Sequence, residues 1–386
     1  MDLVERRASG AARAMGCVDW WLRLARLAPG VANLFMALPG ISALAAVACG
    51  LPPDRRLPPL AAEPFHRWFS RREPRNPTGL PVLLWPGTFN DQFNPGTAKA
   101  AVEVLEAAGC RVVVPRGAVS CGWPFDGLGS LDSTKGRLRR TLDLLRPQLA
   151  AGMPLVGLEP SCIALFRNEL AALFPNDEGA QRLSRQSFQF GEQLVERLDW
   201  HPPRLDREVV VHGHRHPKSL LGMEADEELL RRLGVEGRAL EAGHAGGAGA
   251  FGSEAFGSEA GEGSQLLGVA GERSLSSAVR RVPKDALVVA NGFSCRAEIE
   301  RGSDRHALHI AQVALMALRE SELPGSPYPE RPYLDRPATV SPVGLLVAGA
   351  ALLGASWLWG RSRRRRAVEA AVSGSASWLI PVTLAG

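Results

Sequence analysis

Between residues 80 and 320, short apolar runs alternate with stretches of helical periodicity. This alternation is typical of α/β units with a mainly parallel sheet. The six predicted strands are Val82–Trp85, Arg111–Val114, Pro154–Leu158, Glu208–His212, Leu240–Glu241 and Leu287–Ala290. The seven predicted helices are Thr97–Ala108, Leu131–Leu149, Cys162–Phe174, Gln186–Leu198, Asp226–Leu233, Ser274–Arg281 and Ala307–Leu318. Each strand runs into a short loop, where ligands of open α/β sheets usually bind.

The loops after the strands repeat along the chain. The third predicted strand of the first half continues as VGLEPSC over Val156–Cys162, and that of the second half as VANGFSC over Val289–Cys295. The repetition predicts two tandem copies of a three-layer parallel-sheet unit, at 80–205 and 206–322, although two matches this short also arise by chance. A helical region with a Pro-rich link (1–79) precedes the copies, and a Pro-rich linker with a tail (323–386) follows them.

Two apolar helices are predicted in the N-terminal region, Val18–Ala28 and Val31–Ala48, with Pro-Gly breaks. A helical hairpin packed on the next domain is the favoured interpretation. A hairpin on a membrane surface is the alternative, because arginines interleave with Trp20, Trp21 and several leucines.

The C-terminal tail accounts for most of the net charge of +5. Five arginines against Glu369 put +4 beyond residue 342, so the basic isoelectric point does not indicate a nucleic-acid partner. Val343–Gly360 is 18 residues without a charge, the lower limit for a bilayer span. Membrane contact through 343–366, a surface-lying helix and a disordered basic tail remain alternatives. Six cysteines without a recognisable signal peptide predict a cytoplasmic, reducing location with membrane association left open.

Three of the cysteines, Cys121, Cys162 and Cys295, fall on loops at strand ends. Two interpretations have equal weight for these cysteines: they take part in metal or redox chemistry, or they are inert side chains that fill space in the core. The first copy offers only two such thiols, whereas a closed zinc or iron–sulfur site needs four ligands. Because Cys121 and Cys162 both follow strands of the same copy, they are predicted to meet at one end of the first half-sheet.

The second copy has a histidine-rich loop in addition to its cysteine. His212, His214 and His216 alternate along the chain, and His244 lies on the neighbouring loop. With Cys295 these imidazoles form a competent set of Zn²⁺ ligands. The alternative is that the histidines only hydrogen-bond the loops.

At these loops the sequence resembles the cysteine-rich "CCG" domain proteins. They include the iron–sulfur subunits of glycolate oxidase and of lactate-oxidising complexes, and the C-terminal part of large FAD-linked oxidases, which is the most similar group. The motifs occur in the family's order, over residues 18–335. They are VLLWP (82–86), AVEVLEAAG (101–109), GLEPSC (157–162), HGH (212–214) and GFSCR (292–296).

The resemblance implies that Cys121, Cys162 and Cys295 are retained cofactor-binding positions of an iron–sulfur family. Other family ligand positions carry different residues, namely Ser120, Arg215, His244 and Ala245. The ferredoxin module and the flavin domain have no counterpart in this sequence. The chain is therefore expected to be a fragment or a degenerate relative that binds no [4Fe–4S] cluster by itself.

Two hypotheses for function follow. In the first, the chain is a degenerate iron–sulfur oxidoreductase module that transfers electrons beside a flavin-dependent glycolate or lactate dehydrogenase and a ferredoxin-type protein, with the flavin on the partner. In the second, it is a cluster-free, non-catalytic partner-binding module or a remnant of a larger FAD-linked oxidase.

Overall fold

In this computed structural model, the structure describes residues 22, 24–48, 58–115, 121, 131–205, 207–212, 221–235, 237–240, 275–319 and 327–340. Several predictions lie outside these residues: residues 18–21 and 23 of the predicted helix Val18–Ala28, the three proposed zinc ligands His214, His216 and His244, and the apolar stretch Val343–Gly360.

The described residues form two four-stranded sheets with the same topology. The first contains β1 (Leu80–Trp85), β2 (Cys110–Val113), β3 (Leu155–Gly157) and β4 (Ser187–Gln189) in the order β2-β1-β3-β4. The second contains β5 (Val209–Val211), β6 (Gly237–Ala239), β7 (Leu287–Val289) and β8 (Ala307–Leu308) in the order β6-β5-β7-β8. All pairings within both sheets are parallel. This confirms the predicted fold class of two tandem α/β units.

Helices connect and cover the strands. They are α1 (Pro29–Ala37), α2 (Pro39–Ala48), α3 (Phe65–Phe69), α4 (Gly87–Gln92), α5 (Pro95–Ala107), α6 (Leu131–Ala150), α7 (Pro160–Ala164), α8 (Leu170–Leu173), α9 (Glu178–Gln186), α10 (Phe190–Glu192), α11 (Glu224–Arg232), α12 (Phe293–Gly302) and α13 (Ile310–Leu318). Two π-helical turns, Leu165–Glu169 and Gln193–Arg197, follow α7 and α10. Residues 275–279 are also helical, and Arg331–Tyr333 form a 3-10 turn.

Alternate residues of a strand point to opposite faces of the sheet, and this explains the layering. In β1, Val82 and Leu84 belong to a central core that also contains Leu287 and Val289 of β7. Leu83 belongs instead to an outer core formed largely by α6, the α7–α8 segment and α9. The central core therefore joins the two sheets. The inner strands β1, β3, β5 and β7 are largely buried on both faces, as strands of parallel sheets generally are, whereas the edge strand β6 is exposed.

The predictions missed one strand in each copy. The helices predicted at Gln186–Leu198 and Ala307–Leu318 begin with the strands β4 and β8 instead. These edge strands have only three and two residues, too few for an alternating pattern to stand out from the apolar helix that follows each of them. The strand predicted at Leu240–Glu241 lies slightly earlier, at Gly237–Ala239.

The N-terminal helices α1 and α2 break at Pro39, as the Pro-Gly pair predicts. Asn33 of α1 forms hydrogen bonds with two later parts of the chain. Its Nδ2 donates to the carbonyl oxygens of Leu60 (2.9 Å) and Ala338 (3.0 Å). Its Oδ1 accepts from the Leu60 N–H at 2.8 Å. Six of the seven large apolar side chains exposed in the described residues lie between residues 24 and 44.

No helix in the described part of the chain is long and apolar enough to cross a bilayer. Because Val343–Gly360 lies outside that part, membrane contact through 343–366 stays a prediction.

Candidate functional site

Two cysteines meet at the carboxyl ends of the first sheet. Cys162 lies in the first turn of α7, directly after β3, and the Cys121 segment follows β2. The sulfur of Cys162 donates a hydrogen bond to the sulfur of Cys121 at a distance of 2.6 Å. Both side chains are buried, with 4% and 7% exposure for Cys162 and Cys121. The prediction that these two cysteines meet at one end of the first half-sheet is confirmed.

The environment of the pair keeps Cys162 protonated. The hydrogen bond to Cys121 raises the pKa of Cys162 well above its usual range, and burial and the nearby Glu159 raise it further. The indole N–H of Trp85, at the end of β1, acts in the opposite direction on this pKa. That N–H is buried and makes no regular hydrogen bond within the described residues.

The two sulfurs do not have the spacing of ligands on one metal ion. Two thiolates bound tetrahedrally at about 2.3 Å from a metal are about 3.8 Å apart, which is longer than the 2.6 Å seen here. A [4Fe–4S] cluster is usually held by four cysteine ligands, and among the described residues only two thiols lie together at this position. Among the described residues, no group of three or more His, Cys, Asp or Glu side chains is arranged to hold a metal. These residues therefore do not fit an iron–sulfur cluster.

A buried carboxyl lies beside the pair, between the two copies. Glu159 Oε2 accepts from the backbone N–H of Phe293 in α12 at 3.1 Å. Burial raises the pKa of Glu159 to about 7, and the positive charge of Arg296 opposes this increase. Glu159 also raises the pKa of Cys295, which burial in the first place raises to about 12. One carboxyl thus influences a cysteine in each copy.

Arg296 of α12 also links the two copies by hydrogen bonds. Its guanidinium donates to Asn90 Oδ1 of α4 at 2.9 Å and to the carbonyl oxygens of Asn291 and Ala290 at 2.6 and 3.2 Å. Burial lowers its pKa, and Glu159 acts against that decrease. Next to this network the rings of Phe89 and Phe293 stack, with centroids 4.5 Å apart.

His309 of the second copy also forms a hydrogen bond to the first copy. His309 Nδ1 accepts from the Ala311 N–H at 3.0 Å, so Nε2 carries the proton and donates to the Leu158 carbonyl, also at 3.0 Å. Burial lowers the pKa of His309 well below its usual value, which keeps the ring neutral.

The second copy has an open cleft at the carboxyl ends of β5 and β7. It encloses about 610 Å³ of non-protein space, part of it open solvent, and its lining includes Cys295, His212 and Asp226. Asp226 Oδ2 accepts from Asn291 Nδ2 at 2.6 Å. Burial raises the pKa of Asp226 to about 7, and Glu192 adds to the increase.

The described residues test only part of the predicted zinc site. Cys295 and His212 both line the cleft. His214, His216 and His244 lie outside the described residues, as does Arg215, so zinc binding by this copy stays a prediction. Sequence reasoning missed Glu159, Asn90 and Arg296 as a network between copies. For two of these residues the sequence held a signal. Glu159 and Arg296 are charged residues that lie close in sequence to Cys162 and Cys295, the cysteines that follow the third strand of each copy.

Comparison with known proteins gives relatives from two groups. The chain is 31% identical over 173 residues to lactate utilization protein A of Bacillus velezensis, covering 43% of this chain and 71% of the relative. It is 29% identical over 161 residues to the protein of the same name from Bacillus licheniformis, covering 40% of this chain and 66% of the relative. The chain thus spans about two thirds of the length of these relatives.

A longer match involves a much larger protein. Over 249 residues the chain is 26% identical to D-2-hydroxyglutarate dehydrogenase of Escherichia coli, covering 62% of this chain but 23% of that enzyme. No family model matches the chain. The match to the Bacillus velezensis protein is nevertheless sufficient to assign the family, because the two sequences are 31% identical and the match covers 71% of that protein. This chain belongs to the family of lactate utilization protein A.

Proposed function

We propose that the chain is a module of a system that oxidises a 2-hydroxy acid such as lactate or glycolate, and that it works beside a separately encoded flavin-containing dehydrogenase. The names of the relatives support the substrate class, since one group is named for lactate utilization and the other is a 2-hydroxyglutarate dehydrogenase. A ferredoxin-type protein is the second proposed partner, because the large FAD-linked oxidases that this sequence resembles carry a ferredoxin module.

The contact between Cys121 and Cys162 carries the chemical part of this proposal. The pair lies at the carboxyl end of a parallel sheet, where α/β proteins place their ligands. It supplies two sulfurs in mutual contact rather than four separate ligands. We therefore infer that this module is a degenerate member of an iron–sulfur family and takes part in redox chemistry without a [4Fe–4S] cluster of its own.

Growth of the source organism on single carbon sources tests the role in oxidation. Deletion of the gene is expected to abolish or slow growth on lactate, glycolate or 2-hydroxyglutarate and to leave growth on pyruvate and acetate unchanged. The full-length gene supplied on a plasmid should restore growth. Normal growth of the deletion strain on all three 2-hydroxy acids would refute the proposed function.

Metal analysis tests the absence of a cluster separately. The full chain, purified without oxygen, is expected to be colourless and to contain substoichiometric iron and acid-labile sulfide. A brown protein with about four irons and four sulfides per chain would overturn this part of the proposal.

The network between the copies favours a second candidate, a cluster-free module that binds a partner without redox chemistry. Glu159, Arg296 and Asn90 make the junction a buried, hydrogen-bonded part of the structure. Complementation with Cys121→Ser and Cys162→Ser separates the two functions. Loss of growth on the 2-hydroxy acid with normal protein levels supports the redox module, whereas full complementation by both variants supports the binding module.

A further inference from the structure

The sulfurs of Cys121 and Cys162 are closer to each other than van der Waals packing of two thiols explains. At 2.6 Å they are nearer than unbonded sulfur atoms normally approach, and about 0.6 Å of movement would bring them to the disulfide length of about 2.05 Å. Forty-one positions separate them in sequence, so the fold and not the local chain brings them together. The contact joins the segment that follows β2 to the first turn of α7.

We propose that Cys121 and Cys162 form a reversible dithiol–disulfide site whose co-substrate is a low-molecular-weight disulfide such as oxidised glutathione. This inference does not depend on the proposed 2-hydroxy-acid substrate. Disulfides in reducing compartments are usually transient and serve catalysis or redox sensing.

The surroundings give the two sulfurs different roles. The contact with Cys121, burial and the nearby Glu159 raise the pKa of Cys162 well above its usual range, so Cys162 holds its proton. Cys121 is also the more exposed of the two, at 7% against 4%. Cys121 is therefore the sulfur that attacks the external disulfide, and Cys162 is the resolving cysteine.

The exchange proceeds in two balanced steps. Cys121 gives its proton to the solvent, its thiolate attacks one sulfur of the small disulfide, the sulfur–sulfur bond of that molecule breaks, and one small thiolate leaves. Cys162 then gives its proton to that thiolate and attacks Cys121, which forms the Cys121–Cys162 bond and releases the second small thiolate, and this thiolate takes up a proton from the solvent. Two protein thiols are oxidised by two electrons, and one small disulfide is reduced to two thiols.

The buried indole of Trp85 is suited to the second step. Trp85 belongs to the same buried cluster as Cys162, its N–H makes no regular hydrogen bond within the described residues, and it acts to lower the pKa of Cys162. The second step needs a thiolate at that sulfur. Trp85 therefore acts as a positioning residue, and Trp85→Phe should slow resolution of the mixed disulfide while leaving its formation unchanged.

Mass spectrometry of the trapped thiols tests the site. The full chain is reduced, incubated with oxidised glutathione, alkylated under denaturing conditions and digested. We expect a linked pair of peptides containing Cys121 and Cys162, with the other cysteines alkylated. Cys162→Ser should stop at a stable glutathione adduct on Cys121, whereas Cys121→Ser should yield no adduct on Cys162. Cys295→Ser, the matched change in the second copy, should leave the linkage unchanged.

A trivalent arsenical gives a second readout that does not require oxidation. Phenylarsine oxide should bind the reduced chain with one equivalent per chain, and either serine substitution should abolish that binding while far-ultraviolet circular dichroism shows that the variants are folded. The proposal is overturned if Cys121 and Cys162 remain fully alkylated at every glutathione ratio, or if a tightly bound metal in the purified protein protects both of them.

Discussion

Asp226 is a carboxyl placed where its charge is unfavourable. It is 8% exposed, lines the cleft of the second copy, and lies near Glu192 and Glu227. Its favourable contacts are the hydrogen bond from Asn291 and one from the Gly191 backbone N–H, and they do not offset burial. Its pKa is therefore raised from 3.8 to about 7.

The raised pKa makes the stability of the protein depend on pH. Between about pH 4 and pH 7 the folded state holds a proton on Asp226 that the unfolded chain has released, so the free energy of unfolding falls as pH rises. A shift of about three units corresponds to about 4 kcal/mol in all, since one unit is about 1.4 kcal/mol. About 2–3 kcal/mol of this loss falls between pH 5 and pH 8.

Replacing Asp226 by Asn should remove this dependence. The side-chain amide keeps the shape and can still accept from Asn291 Nδ2, but it carries no charge at any of these pH values. Relative to the wild type, Asp226→Asn is therefore expected to gain about 2–3 kcal/mol of unfolding free energy on going from pH 5 to pH 8.

Urea denaturation at pH 5, 6, 7 and 8 measures the effect. The comparison needs the wild type, Asp226→Asn and the control Asp285→Asn, which removes one carboxylate from an exposed position. The control should differ from the wild type by the same small amount at every pH. A constant difference between Asp226→Asn and the wild type from pH 5 to pH 8 would show that the charge of Asp226 is not penalised in the folded state.

The sequence predicts the sheets well because parallel strands buried on both faces have a strong local signature. Leu80–Trp85 and Leu287–Val289 are runs of apolar residues that end at turn residues, and both were predicted within two residues of their bounds. Ser187–Gln189 was missed because its serine and glutamine do not resemble a buried strand. What makes this segment a strand is its pairing with β3, a contact between distant parts of the chain.

The same distinction between local and long-range information applies to the site. That Cys121 and Cys162 lie at the same edge follows from the rule that the loops after parallel strands of one sheet share one edge of it, although β1 lies between β2 and β3. The contact between their sulfurs does not follow from that rule, since it depends on where the Cys121 side chain lies against α7. Arg296 and Asn90, separated by 206 positions, could not be paired by any pattern in one copy alone.

The remaining predictions concern two junctions in the fold. A β-carbon at Gly30 would lie 2.2 Å from the Thr339 carbonyl oxygen, whereas one at Gly40 would meet nothing within 4 Å. Gly30→Ala should therefore loosen α1 and speed limited proteolysis before residue 58, and Gly40→Ala should not; equal rates would contradict the contact. Arg296→Met keeps much of the side-chain volume but leaves buried hydrogen-bond acceptors of both copies without their donor. Because each unsatisfied buried group costs about 1–3 kcal/mol, the variant should lose roughly 3–5 kcal/mol of unfolding free energy in urea. Arg231→Met, which removes a side chain that is 74% exposed and paired with Glu228 on the surface of α11, should lose far less, because exposed ion pairs contribute little to stability. Similar losses for the two arginine variants would mean that Arg296 does not hold the copies together.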